Sequence, residues 1–237
     1  MNSFSYYSLF DTKGVEYIAI IIFLIMLIPF WIILNKHKEI SQRIQKVFKA
    51  LSFDILNIPQ GIFHSKNHTW AFMEKSGSAS VGLDDFLLHT TGEVTLTNLK
   101  NSGEFVNKGE ILIEVVKDDK HLNISSPISG KIVNNNPLLI ENPEILNEDP
   151  FGKGWIYKIK PSNWIEETSS CYLAEESTIW SRNEINRFKD FLAQMSKKYS
   201  TEQSPLVLQD GGEVIDHVLS ELPNVVWKDF NEGFLEN

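Results

Sequence analysis

Only one cysteine, Cys171, occurs in the 237 residues. A lone thiol excludes an intrachain disulfide and a thiolate metal cluster, and it fits a reducing compartment. Basic residues are also scarce: 22 Lys and Arg face 31 Asp and Glu, a formal charge of -9. That balance, with no basic stripe interleaved with aromatics after the N-terminal region, argues against a nucleic-acid partner. The acidic surplus reads as a solubility device. A phosphate-cradling loop is missing too. Gly211-Gly212 follows Gln209-Asp210 but lacks the lysine and spacing of a P-loop, and reads as a turn opening a helix over Glu213–Leu222. No nucleophile stands beside a base. Cys171 is followed by Glu175 and Glu176, which would not stabilise a thiolate. His64 and His68 flank Ser65-Lys66-Asn67, a loop signature, with no acidic partner at suitable spacing. His68 is therefore expected to frame a turn before Trp70, and neither a metal site nor an enzymatic site is expected.

What is present begins with an apolar run. Tyr17 to Leu34 is uncharged and dominated by Ile, Leu and Phe. About 20 helical residues cross a hydrocarbon core of roughly 30 Å, so the run is just long enough to span. Tyr17 and Trp31 suit the two interfaces, and Pro29 permits a kink within a membrane helix. Asp11, Lys13 and Glu16 precede the run in place of a basic cluster, and no small-residue cleavage pattern comes after it. A retained anchor is thus expected rather than a cleaved signal peptide. Lys36, Lys38, Arg43, Lys46 and Lys49 come next, opposed only by Glu39. The positive-inside bias then places the N-terminus outside and the larger C-terminal part in the cytoplasm. Ile40, Ile44, Val47, Phe48 and Leu51 recur at helical spacing, so an amphipathic helix either lies on anionic headgroups or packs on the C-terminal domain. The boundaries are 1–16 for a short outer segment, 17–35 for the span and 36–57 for the basic helix and linker.

From Ile58 the pattern changes to short alternating runs punctuated by Gly, Asn and Pro. Strands are predicted at Trp70-Ala-Phe, Glu93-Val-Thr-Leu-Thr, Glu110 to Val116, Leu122-Asn-Ile, Lys131-Ile-Val and Trp155 to Lys160. Strands this short and frequent imply a small sandwich or barrel. Two halves look alike. Gly92-Glu93-Val94 leads to Lys108-Gly109-Glu110-Ile111, and Gly130-Lys131-Ile132 leads to Lys153-Gly154-Trp155-Ile156, which points to two quasi-symmetric hairpin units. The second half is longer by Pro137 to Phe151, where Asn142 as N-cap before Pro143 predicts a short helix ended by Pro150. Beyond Ser162, Ile185, Phe188, Leu192, Met195 and Tyr199 predict an amphipathic helix over Asn183–Tyr199. Pro205 to Gln209 reads as a short strand, and a last helix after Pro223 carries Trp227, Phe230 and Phe234.

Within residues 58–165 five pieces occur in order: His68-Thr69-Trp70; Val81-Gly82-Leu83-Asp84 to Gly92-Glu93-Val94; Gly103 and Val106 with Lys108-Gly109-Glu110; Ser126-Pro127-Ile128-Ser129-Gly130; and Asn147-Glu148-Asp149-Pro150-Phe151-Gly152-Lys153-Gly154-Trp155. Together they resemble the glycine cleavage H-protein family. The Ser-Pro-hydrophobic-Ser-Gly piece is common to lipoyl and biotinyl domains, whereas the Asn-Glu-Asp-Pro piece is specific to H-proteins. The resemblance implies a mainly β fold, the barrel-sandwich hybrid of lipoyl-type domains, here with short helices, an N-terminal transmembrane helix and a helical C-terminal extension over 166–237.

The family's work rests on a lysine at a hairpin tip, which carries a lipoyl arm that moves an aminomethyl group between partner enzymes. In the family that lysine follows Glu-Ser-Val, and the Ser-Pro pair begins seven residues after it. Counting back from Ser126-Pro127 places Val116 at the glutamate and Asp119 at the lysine position, and a carboxylate cannot form the lipoyl amide. Lys117 and Lys120 flank it as the alternative acceptors. The resemblance and this departure imply a membrane-anchored, non-lipoylated, non-enzymatic module that binds or scaffolds unidentified protein partners at the cytoplasmic face and holds no cofactor. The alternative is a lipoylated H-protein carrier modified at Lys117 or Lys120. A third reading is a sensor for free lipoate or a nucleotide.

Overall fold

Two compact units, residues 1–49 and 50–237, divide the chain. The structure is a computed structural model and describes residues 14, 16–31, 50–51, 53–199 and 214–235. In the first unit, residues 16–31 form a helix, α1, whose apolar side chains are all exposed. Its 16 residues extend about 24 Å at 1.5 Å each. No helix among the described residues is long and apolar enough to cross a membrane. Residues 32–34 of the expected span and the basic stretch 36–49 lie outside the described residues.

The second unit begins with β1 (Ala50–Leu51) and a 3-10 turn, Phe53–Ile55, so part of the expected linker is ordered structure. Next come β2 (Phe63–His64), β3 (Thr69–Met73) and β4 (Ala79–Leu83), then helix α2 (Asp85–Thr91). All five residues of β4 are buried. Its Ala-Ser-Val-Gly-Leu run therefore shows no alternation, and nothing in its pattern announced a strand. Gly82 in this strand is a packing requirement, because a Cβ there would stand 2.6 Å from the Trp70 indole. Asp84 caps α2, accepting from the Leu87 amide at 2.9 Å.

The remaining strands are β5 (Thr95–Asn98), β6 (Phe105–Val106), β7 (Ile111–Lys117), β8 (Lys120–Ser125), β9 (Gly130–Asn135) and β10 (Tyr157–Pro161). β7 and β8 alternate between core and surface, as half-buried strands do. One antiparallel sheet has the order β2-β3-β4-β10-β9-β6, and a second has the order β5-β7-β8. The two sequence repeats each become an antiparallel pair, β5 with β7 in the smaller sheet and β9 with β10 in the larger. The glycine of the Ser-Pro-Ile-Ser-Gly motif has a steric reason. A Cβ on Gly130 would collide with the Lys160 carbonyl oxygen across the β9–β10 pair. Gly130→Ala is expected to cost about 1–3 kcal/mol in urea unfolding, with the two strands forced apart; an unchanged midpoint would contradict this.

Several helical expectations need correction. Asn142 does not start a helix; it ends one. Residues 137–149 form two single turns, α3 (Leu138–Glu141) with Asn142 at its C-cap and α4 (Ile145–Glu148) with Glu144 at its N-cap position, making no side-chain cap. Pro143 lacks the amide that would continue α3, so the chain restarts after it. A short helix α5 (Trp164–Thr168) precedes α6, which spans Glu175–Tyr199 and so begins eight residues before Asn183. Its first turns bury Ser177, Trp180, Ser181 and Glu184, a largely polar face that an apolar stripe does not reveal. The helix expected over Glu213–Leu222 is instead β11 (Val214–Ile215), paired with β1, followed by a 3-10 turn Val218–Glu221. The final helix is α7 (Asn224–Phe230), continued by one wider turn, Asn231–Leu235. The strand expected at Pro205–Gln209 lies outside the described residues.

One continuous core joins the β sheets to this C-terminal extension. Phe188 on α6 meets Phe86 of α2 at 5.7 Å between ring centroids, Phe230 at 5.8 Å and Phe234 at 5.7 Å, edge to face in each case. The extension thus packs on the H-like domain rather than standing away from it.

Candidate functional site

The hairpin β7–β8 closes on the pair Lys117 and Lys120, leaving Asp118 and Asp119 as its two turn residues. Asp118 takes a positive φ of 55°, a conformation that Asp tolerates better than most side chains. Both carboxylates are exposed. The apex is nonetheless not free. Asn224 at the start of α7 donates from Nδ2 to the Asp119 carbonyl oxygen at 2.9 Å. Lys120 donates from Nζ to the Ser220 carbonyl at 2.6 Å and lies 5.8 Å from the centre of the Trp227 ring. Trp227, fully buried, is itself pinned by Nε1 donating to the Leu219 carbonyl at 2.6 Å. Further along β8, the Asn123 amide donates to Oδ1 of Asn231 at 2.7 Å. The last described residues thus cover one flank of the hairpin from Asp119 to Asn123.

On the other flank Lys117 donates from Nζ to the Glu93 carbonyl at 3.0 Å. A groove of about 380 Å³ opens there, with Glu93, Lys117, Asp118 and Glu144 among its walls. Three carboxylates against one ammonium make it a poor receptacle for an anion.

A second concentration of polar groups lies inside the domain. His68 sits at a turn after Ser65-Lys66-Asn67, as expected, with φ of 56° and its amide donating to the Ser65 carbonyl at 3.2 Å. The expectation that it lacks an acidic partner is wrong. Its Nδ1 stands 2.8 Å from Oδ2 of Asp84, and its Nε2 approaches Oε2 of Glu184 on α6 at 3.5 Å, an ionic approach too long for a hydrogen bond. These partners are 16 and 116 residues away in the chain, which no local spacing can show. Burial disfavours charge on His68, but the charge and hydrogen bond of Asp84, reinforced by Glu184, outweigh it and raise the imidazole to about 9. His68 is therefore an imidazolium in the core, stacked on Phe86 at 4.6 Å. His64 takes the opposite state: burial, against the pull of Asp84, lowers its pKa and keeps it neutral. The two histidines are thus core residues.

A third group was not visible in the sequence. His89 at the end of α2 meets Asp216 and His217, which come directly after β11. His89 Nδ1 lies 2.9 Å from Asp216 Oδ1, and its Nε2 lies 3.5 Å from Asp85 Oδ2 one turn earlier. His217 Nε2 is 3.6 Å from Asp216 Oδ1. Cys171 is half-buried, and burial raises its thiol pKa, so it is not an activated nucleophile.

Comparison with known proteins matches the sequence to one family. The sequence model described as glycine cleavage H-protein matches residues 62–182. A probable glycine cleavage system H protein of Thermococcus gammatolerans is 35% identical over 118 residues, which cover 50% of this chain and 87% of that protein. The glycine cleavage system H protein of Bacteroides fragilis is 37% identical over 110 residues, covering 46% and 85% respectively. A crystal structure of a glycine cleavage system H protein from Mycobacterium marinum aligns with 27% identity and a TM-score of 0.41 over 44% of this chain and 87% of that one. With the family pattern spanning half of its length and most of each relative, this chain belongs to the glycine cleavage H-protein family.

Proposed function

We propose that this chain is a non-lipoylated H-protein-like module that binds or scaffolds protein partners and performs no catalysis of its own. One observation carries the reading: the hairpin apex bears Asp118 and Asp119 in place of an amine, and the C-terminal segment is bonded to it through Asn224 and Lys120. A swinging arm needs an amine that a ligase can reach and a tip free to present it. Here the tip offers carboxylates and is tied down on one side. The apolar helix α1 supports attachment to a bilayer, since among the described residues its apolar side chains are exposed and a hydrocarbon phase would cover them. The basic residues after the apolar run favour a cytoplasmic location for the H-like domain.

A specific feature favours the carrier as the second reading. Glu114-Val115-Val116-Lys117 reproduces the family's glutamate, valine and lysine when counted forward, so Lys117 competes with Asp119 for the lysine position. The two counts differ by the two residues of the turn. Both amines donate to a carbonyl, but that of Lys117 does so at the exposed surface and that of Lys120 in a part-buried position beside Trp227, so Lys120 is the poorer acceptor. A sensor of free lipoate or a nucleotide is disfavoured by the carboxylates around the groove.

Intact-protein mass after expression in a lipoate-competent host decides between the readings. The expected result is the unmodified mass. A gain of one lipoyl group, localised by peptide mapping to Lys117, overturns the scaffold reading and restores the carrier. Asp119→Lys is expected to accept a lipoyl group if the backward count holds, since the side chain at 119 is exposed. Recovery of the full chain in the membrane fraction, resistant to alkaline extraction, is expected of the anchor; release by alkali would contradict it.

A further inference from the structure

We propose that His89, Asp216 and His217 form a binding site for one borderline divalent cation of the zinc type, held between α2 and the C-terminal extension. Each of the three residues offers one donor atom, and these atoms lie within 4.8 Å of one another. The bonds of tetrahedral zinc to nitrogen and oxygen, about 2.0–2.2 Å, require donor atoms roughly 3.3–3.6 Å apart. The two edges that meet at Asp216 Oδ1, 2.9 Å to His89 Nδ1 and 3.6 Å to His217 Nε2, bracket that spacing. The remaining edge is no longer than 4.8 Å, so side-chain rotation must close it for one ion to reach all three donors.

The surroundings are those of a ligand set. Asp85 stands behind His89, its Oδ2 3.5 Å from Nε2, so the nitrogen facing away from the donors has a carboxylate to orient it. Once an ion displaces the proton that Nδ1 shares with Asp216 in the metal-free chain, this carboxylate–histidine arrangement holds the tautomer whose Nδ1 faces the metal. Asp85 is itself held, accepting from the Asn57 amide at 2.7 Å. His217 occupies a left-handed conformation, φ 59°, and its amide donates to the His89 carbonyl at 2.6 Å. That turn directs consecutive side chains, Asp216 and His217, toward the same histidine. The two imidazoles lie nearly parallel, 6.2 Å between centroids. His89 and His217 are partly accessible while Asp216 is nearly buried, so an ion can enter from the histidine side and keep a water as its fourth ligand. Two imidazoles and one carboxylate select zinc-like ions over magnesium or calcium, which prefer oxygen throughout. Because its donors are 127 residues apart, the ion would tie the extension to the domain and couple metal binding to folding.

The test uses the untagged full chain in detergent, stripped with chelator and titrated with zinc chloride by calorimetry, with Co2+ absorption as a second signal. One ion per chain with a tetrahedral Co2+ spectrum is expected. Asp85→Asn is expected to weaken binding by about 10–100-fold, and His217→Asn by more than 100-fold, while exposed His121→Ala changes nothing. Asparagine tolerates the left-handed backbone, so His217→Asn keeps the turn, and the melting temperature of the stripped variant verifies its fold. Zinc is expected to raise the melting temperature of the wild type and not of His217→Asn. Equal affinity in the wild type and His217→Asn, or no binding to the wild type at micromolar zinc, overturns the site.

Discussion

Phe188→Ala is expected to lower stability by about 3–5 kcal/mol and to loosen the extension and the β domain together. Phe188 is fully buried, and its ring stands where three parts of the chain converge. Phe86 comes from α2 of the H-like domain, Phe191 from α6 itself, and Phe230 with Phe234 from the C-terminal segment. Neighbours held by edge-to-face contacts on several sides cannot collapse into the space a lost ring leaves. The cavity therefore persists, and its cost adds to the lost transfer energy. Urea unfolding followed by both tryptophan fluorescence and far-ultraviolet circular dichroism checks this. One transition, shifted as a whole, is the expected result. Two separated transitions would mean that the extension folds independently of the domain.

Removing the Asp84 carboxylate is expected to be comparably costly, by a different mechanism. Asp84→Asn leaves the His68 imidazolium in the core without its main counterion, and breaking a buried pair from one side costs about 3–5 kcal/mol. Asparagine can still cap α2 through its carbonyl, so the loss reports on the ion pair more than on the cap. The pH profile separates this from general damage. His68 is raised from 6.5 to about 9, so its contribution is complete below pH 6.5 and disappears as pH climbs through 9. At ~1.4 kcal/mol per pH unit this amounts to roughly 3 kcal/mol over the full window. Burial opposes ionisation of Asp84 and Glu184, yet His68 draws both pKa values down, so their share is present at neutral pH and is lost on acidification. His89, raised to about 9 by Asp216 and Asp85 against the effect of burial, adds a parallel alkaline decline. The wild type should therefore lose stability between pH 6.5 and 9, and Asp84→Asn should lose distinctly less over the same range, keeping the His89 share and the part of the His68 share that Glu184 sustains. Parallel curves for the two proteins would exclude His68 as the titrating group.

Local patterns in the sequence were enough to announce most strands. β7 and β8 alternate at period two, and the Asp-Asp turn between them is marked by residues that favour turns. The family motifs pointed to the fold, and at least one of their glycines answers to a contact in it, Gly130 against the Lys160 carbonyl. The amphipathic stripe of α6 was legible from Ile185 onward, where its buried face is apolar, and illegible before it, where Ser177, Ser181 and Glu184 are buried. Burial of polar residues depends on partners the sequence does not place beside them. For the same reason the acid partners of His68 and the meeting of His89 with Asp216 and His217 emerge only when α2, α6 and the segment after β11 are brought together. Residues 214–222 show the limit plainly. Their apolar content suits a helix, and pairing with β1 makes the first two a strand instead. The sequence by itself determined which residues cannot serve as the arm's acceptor: Asp118 and Asp119 carry carboxylates whatever surrounds them. Only the tertiary structure decided that the tail returns to bind that hairpin, because the contact joins Asp119 to Asn224 across 105 residues and no local period extends so far.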